Sequence, residues 1–189
     1  MRPLLLALPV FCLTTLAAAA APRSYALDPS QSRVEFTYTL SGKDDTGTMP
    51  ITRADLVIDF DNVSASTAQV TLNAAGAKPG YFFATDALKS SSVLDTADYP
   101  QITFVSRQVT SRPGGARIEG NVTVRGVTRP MVLDAKIYRR QGSEAGDISR
   151  LTVMLTGEIA RSQFGATGYP DLVADTVELR IIARLVATN

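Results

Sequence analysis

Downstream of residue 30, apolar and polar side chains alternate in short runs, and the period is two. Residues 31–40 set Val34, Phe36, Tyr38 and Leu40 on one face, with Glu35, Thr37 and Thr39 on the other. Similar runs follow at 54–61, 68–75, 101–109, 116–125, 130–139, 150–160 and 175–187. Their apolar faces carry Leu56 and Ile58, Val70 and Leu72, Ile102 and Phe104, and Ile118 and Val122. Later runs carry Met131, Leu133 and Ala135, then Val153 and Leu155, then Leu179, Ile181 and Ala183. Alternation over lengths of this kind predicts half-buried strands, separated here by Gly, Pro, Asp and Ser. Eight evenly spaced strands with almost no helix between them predict an all-β fold, a sandwich or an antiparallel barrel.

One connection breaks the rhythm. Between residues 76 and 100 the chain holds a single short helical candidate, with Thr85 as its expected N-cap. A lid over a barrel mouth is expected at such a place, with Tyr81, Phe82, Phe83 and Leu88 as its apolar underside. The stretches 41–53 and 139–149 are polar and turn-rich and read as loops. No repeat and no linker divides the chain, so residues 22–189 are expected to form one domain.

The first residues follow a different pattern. Arg2 precedes an apolar stretch from Leu4 to Leu16, and an alanine run from Ala17 to Ala21 follows. That order is expected of a secretory signal peptide over 1–21, removed on export. The apolar part is too short to span a membrane. Removing it takes away one arginine and no acid, so the formal charge moves from +1 to 0. A neutral domain has no electrostatic bias toward nucleic acid, and no such partner is expected.

The single cysteine, Cys12, lies in the leader, and the sequence has no histidine and no tryptophan. Cys/His zinc sites, Ser–His or Cys–His nucleophiles and haem ligation by His therefore have no residues to use. No metal or other cofactor is expected and no catalytic residue stands out. Charged residues lie on the polar faces of most strands, among them Glu35, Asp59, Arg107, Glu119, Lys136 and Arg180. Those faces suit water, so an outer-membrane barrel, which turns its apolar face to lipid, is not expected. An eight-stranded barrel either fills its interior or holds one small ligand. Inward residues such as Ala74, Gly120, Ala135, Gly157 and Ala183 fit both outcomes.

Four segments carry a family resemblance. They are YALDPSQSRVEF at 25–36, YPQITF at 99–104 with Ser106, GNVTVRGVTRPMVL at 120–133 and RSQFG at 161–165. Each is similar to a segment of the YceI-like family, and they occur in that family's order across nearly the whole exported part. The resemblance implies a lipocalin-like eight-stranded barrel, exported to the periplasm, that binds polyisoprenoids or other long amphiphiles such as fatty-acid derivatives. Two segments depart from the pattern. Gln31 and TYTLSGKDD stand where many members have histidines, and AGAKPGYFFATDAL at 75–88 replaces a more polar stretch.

The expected ligand contacts are Phe36, Tyr38, Phe82, Phe83, Leu88, Phe104, Met131, Leu133, Leu155 and Ile181. Phe164 is expected to plug the barrel floor, and a buried Arg161 to pair with Asp171 or Asp175. Three functions are weighed: a carrier of an isoprenoid or acyl lipid, a ligand-free barrel serving as an interaction or stress-response module, and an enzyme acting on an amphiphile. The oligomeric state is left open, with a homodimer among the options.

Overall fold

The computed structural model describes residues 22–139, 142–144 and 146–188, and the expected leader at 1–21 lies outside them. The described residues form ten strands. They are β1 (Arg23–Leu27), β2 (Arg33–Leu40), β3 (Lys43–Met49), β4 (Ile51–Ile58) and β5 (Thr67–Asn73), then β6 (Gln101–Arg112), β7 (Gly115–Val124), β8 (Val127–Arg139), β9 (Arg150–Ala160) and β10 (Val173–Thr188). One short helix, α1 (Thr85–Lys89), lies in the connection between β5 and β6.

The ten strands make eight staves. β10 is long enough to pair with β2 along Val173–Ile182 and with β1 along Leu185–Thr188, so β1 and β2 share one place in the ring. β3 and β4 share the next place, running on through Pro50. From there β4, β5, β6, β7, β8, β9 and β10 pair in order, all antiparallel, and β1 closes the circle. Closure leaves the wall without a free edge over most of its length.

β3 is where the sequence misleads. Residues 41–53 read as a polar loop, yet Lys43–Met49 pairs residue for residue with β2. The alternation persists, but the inward positions are Asp45, Gly47 and Met49, and only the last is a large apolar residue. Aromatics on β2 replace the missing apolar side chains. Phe36 lies opposite Gly47 in register, and a Cβ on that glycine would stand 2.3 Å from the Phe36 ring. Two-residue turns join these strands and their counterparts. Ser41–Gly42 and Arg125–Gly126 both have positive φ at both positions, the geometry that matches the twist of a hairpin. The second turn also shifts an expectation: Val127 and Thr128 are already β8, and Pro130 sits within the strand opposite Asn121. β8 pairs with β9 only from Asp134 onward, so proline's missing N–H faces no ladder there.

The β5–β6 connection does more than link strands. Lys78 exchanges backbone hydrogen bonds with Thr48, at 2.8 and 2.9 Å, which ties the connection to β3's outer edge. Thr85 is the first residue of α1 rather than its cap, and its hydroxyl donates to the Phe82 carbonyl at 2.8 Å. Farther on, Arg125 donates to the Val93 carbonyl at 2.8 Å and Gly168 N–H to the Ser92 carbonyl at 2.8 Å. The connection thus spans one end of the barrel, over the hairpin turns and the β9–β10 loop.

Candidate ligand cavity

The inward faces enclose a void of about 790 Å³. Its wall runs the length of the barrel, from Leu40 and Leu172 at the end covered by the connection to Val63 and Gly114 at the other. Along β10 alone the lining reaches from Val173 to Leu185. At ~3.3 Å per residue and a strand tilt of ~35–45°, that is an axial span of about 30 Å. The void is narrow, long and walled almost wholly by apolar side chains.

Three buried clusters build the wall. Tyr25, Ala135, Leu151, Val153, Ala183 and Leu185 form one, Val122, Val124, Met131, Leu133 and Phe164 a second, and Val34, Phe36, Met49 and Ala77 a third. Between them Leu155, Ile181, Phe104 and Ile102 are only half-buried although they point inward. Their remaining surface faces the void, which a filled core would not leave. Small inward residues are used locally to seat large neighbours. A Cβ on Gly120 would stand 2.5 Å from the Phe104 ring and 2.5 Å from the Val105 carbonyl. The void remains after such pairs are made.

Eight expected contacts line the cavity: Phe36, Tyr38, Leu88, Phe104, Met131, Leu133, Leu155 and Ile181. Phe82 and Phe83 do not. They are 79% and 81% exposed and stand outside the lining. The physical reason is helical phase. Ala84, Ala87 and Leu88, spaced i, i+3, i+4, form the face turned to the cavity, and residues 81–83 precede it on the solvent side. Phe164 is 2% exposed and clusters with Val124 and Met131 at the end covered by the connection, so it does not plug the opposite floor: the chain reaches it directly after β9, in the β9–β10 loop.

The lining contains more titratable groups than Tyr38. The Tyr38 hydroxyl donates to Asp45 Oδ2 at 2.5 Å, and the same carboxylate oxygen accepts the Tyr81 N–H at 2.9 Å. Burial, and then the Asp45 carboxylate, push the Tyr38 hydroxyl well above its ordinary range, so it stays neutral. Asp59 was expected on the outer face, but β4 ends at Ile58 and Asp59 turns in, 6% exposed. Its Oδ1 accepts the N–H groups of Asp61 and Asn62, at 3.0 and 2.7 Å, and so organises the β4–β5 turn.

Arg161 is buried, and among the described residues no carboxylate forms a direct ion pair with it, although its charge helps to lower the Asp175 pKa. Its guanidinium donates to four backbone carbonyls: Ala174 at 3.0 Å, Ala166 and Gly168 at 2.7 Å, and Val173 at 2.8 Å. The fixed fork of donors suits a loop that wraps around it. Asp175, one of the two expected partners, instead accepts the Ser162 N–H and hydroxyl, both at 2.8 Å. Those two bonds hold its pKa below the usual carboxylate value. The Tyr38–Asp45 contact keeps the phenol protonated, the Arg161–carbonyl contacts hold a loop, and among the described residues no cluster of three or more Asp, Glu, His or Cys forms a metal cage.

A closed eight-stave barrel around a long apolar void, carrying the four motifs on its wall and loops, can be compared with known proteins. The YceI-like domain matches residues 25–185. The chain belongs to the YceI-like family. Protein YceI of Salmonella arizonae is 32% identical over 123 residues, 65% of this chain and 64% of that protein, so the match spans less than two thirds of the relative's length. Among solved structures, BcnA of Burkholderia cenocepacia superposes with a TM-score of 0.75 at 21% identity, over 86% of this chain and 100% of that one. A polyisoprenoid-binding domain from Saccharophagus degradans, implicated in plant cell wall breakdown, gives 0.63 at 14% identity, over 88% and 99%. The Campylobacter jejuni YceI protein gives 0.59 at 24% identity, over 76% and 84%. At those identities the structures share the YceI-like barrel fold with this chain.

Proposed function

We propose that this protein carries one polyisoprenoid or long acyl lipid along the barrel axis, in the periplasm, and that it performs no chemistry on its cargo. The observation that carries the reading is the continuous apolar void of about 790 Å³. Its size falls within the ~300–1,000 Å³ of ordinary ligand pockets, and its shape suits a chain rather than a compact ring system. The expected export leader and the family's relatives support the compartment and the ligand class. The eight lining residues named above are proposed as the contacts, with Tyr38 as the one polar side chain among them.

The energetics are adequate. Burying a sixteen-carbon chain gains ~13 kcal/mol at ~0.8 kcal/mol per methylene. Association costs of ~4–15 kcal/mol oppose it, and a preformed cavity keeps that cost toward the low side. Mass spectrometry of an organic extract, from protein purified without detergent, tests the reading. An isoprenoid or acyl lipid near one equivalent is expected. Ala135→Phe or Ala183→Phe should lower that content while the unfolding midpoint of delipidated protein stays close to wild type. A wild type that never holds lipid, with a midpoint that falls in both variants, means that the interior is solid and the carrier reading is wrong.

A further inference from the structure

Tyr81, Phe82 and Phe83 are 57%, 79% and 81% exposed, three consecutive aromatics on a protein that buries most of its large apolar residues. They touch one another. The Tyr81 and Phe83 rings lie 5.7 Å apart at 54°, and those of Phe82 and Phe83 lie 5.7 Å apart at 74°. The knuckle is held in place, because Asp45 accepts the Tyr81 N–H and Thr85 bonds back to Phe82. Directly after it the chain turns inward, so that Ala84, Ala87 and Leu88 line the cavity. Tyr169 and Leu172 also line the cavity and are 46% and 52% exposed. Leu172 is joined to the β2–β3 turn by its carbonyl, which accepts the Ser41 N–H. The knuckle thus leads along the chain directly into the cavity lining, and Tyr169 and Leu172 expose further apolar surface at the same end of the barrel.

We propose that this aromatic knuckle docks the barrel mouth on a lipid surface, where cargo enters and leaves without crossing water. The inference rests on the carrier reading for its purpose but on separate residues for its contact. Exposed aromatics of this kind suit the membrane–water interface, where an apolar ring enters the headgroup layer. With ~150–250 Å² per aromatic side chain, the knuckle offers about 400 Å², well short of the ~800 Å² per partner of a stable protein interface. A lipid surface needs no such area. The neighbouring charges give no positive excess: Lys78, Asp86, Lys89, Asp95 and Asp98 on the connection, Lys43, Asp44 and Asp45 on β3. Docking is thus driven by the rings and not by anionic lipid, and it changes little with salt.

The chain has no tryptophan, so Phe83→Trp installs a single reporter at an exposed position. With vesicles of phosphatidylcholine alone, its emission should shift to the blue and be quenched by brominated phosphatidylcholine. Phe82→Ser with Phe83→Ser should weaken co-sedimentation with those vesicles by about tenfold or more. It should also slow transfer of a pyrene-labelled long-chain fatty acid from vesicles to protein, with the unfolding midpoint unchanged. Unaltered tryptophan emission overturns the docking proposal, and so does a concentration-dependent dimer that the double serine variant abolishes. The two readings separate cleanly. Extractable lipid without vesicle insertion leaves the carrier and removes the docking surface, whereas insertion by a lipid-free protein does the reverse.

Discussion

Phe36 and Phe83 are the same residue on two regions that follow different rules. In the wall, Phe36 is 7% exposed, seated over Gly47 by strand register. On the β5–β6 connection Phe83 is 81% exposed, although the segment around it is at least as apolar. Strand periodicity fixes which side a wall residue faces, because a slip of one residue would send every side chain to the other face. The connection has no such ladder along its length. Its orientation comes from a few tethers: Lys78 to Thr48, Tyr81 to Asp45, and Ser92 to Gly168. The wall is therefore built for stability, and the connection can present apolar surface that contributes nothing to the core.

The largest break in that contrast comes at a tether. Arg161→Met removes the group that two carbonyls of the β9–β10 loop and two at the start of β10 share, and a methionine can satisfy none of them. Some of the freed carbonyls will reach water. A loss of about 3–5 kcal/mol is expected, from a charged donor set removed at a buried site. Urea unfolding measures it, and a loss under about 1 kcal/mol would show that the loop is held by other contacts. The same variant should leave the Tyr25, Leu151 and Leu185 cluster intact, which a local chymotryptic cut confined to the 161–173 loop, after Phe164 or Leu172, would report.

Within the wall, the Gly120 contact offers the next effect. Gly120→Ala brings a methyl against both the Phe104 ring and the Val105 backbone carbonyl. The ring can swing into the void, but the carbonyl belongs to a paired strand and cannot. About 1–3 kcal/mol of destabilisation is expected. Combining Gly120→Ala with Phe104→Leu should recover only part of it, since the backbone clash persists. Full recovery in a double-mutant cycle would assign the whole strain to the ring.

The contrast also marks what was legible in the sequence. All eight staves could be read wherever the inward face is apolar, and the lining residues on β2 and β6–β10 follow from alternation alone. β3 was missed because Asp45 and Gly47 occupy its inward positions, and their fit depends on Phe36 and Tyr38 of another strand. Arg161 gives a similar lesson. Backbone carbonyls leave no signature in a sequence, so a carboxylate was the visible partner and the wrong one. Asp59 fits strand alternation as an outward residue, yet its turn-forming hydrogen bonds draw it in. For Phe82 and Phe83 only the phase of a five-residue helix separates facing the cavity from facing water, and local composition does not set that phase.

pH should produce smaller changes, at the two extremes. With no histidine, no side chain has an ordinary pKa between 5 and 8, so stability and lipid content should be flat from about pH 6 to 8. Tyr38 and Tyr25 are both held above their ordinary value of 10.0, chiefly by burial. A raised folded pKa means that the folded state keeps its proton when the unfolded state has lost it. Stability from these groups is complete below pH 10 and declines as pH rises beyond it. Asp175 acts in the opposite direction, since its folded pKa is lowered from 3.8, and its contribution fades as pH falls through that range. Tyr38→Phe should therefore flatten part of the alkaline decline in a denaturant midpoint series. An unchanged slope above pH 10 would leave Tyr25 as the residue responsible.

The smallest effect on stability is expected where the exposed aromatic surface is greatest. Phe82→Ser with Phe83→Ser removes two rings whose neighbours are chiefly each other and Tyr81. The backbone tethers on either side, Tyr81 N–H to Asp45 and Thr85 hydroxyl to the Phe82 carbonyl, do not involve the side chains lost. Surface substitutions of this type change stability by about 0.5 kcal/mol or less. Phe36→Ser in the wall should instead cost several kcal/mol, because it leaves a cavity over Gly47 and places a hydroxyl in an apolar layer. Thermal melts of the two variants, both delipidated, set the comparison on one scale. A double serine variant that melts as early as Phe36→Ser would make residues 81–83 part of the core, and the distinction between a stabilising wall and a presenting connection would fall. With equal melting of double variant and wild type, any change in lipid exchange belongs to the exposed rings themselves.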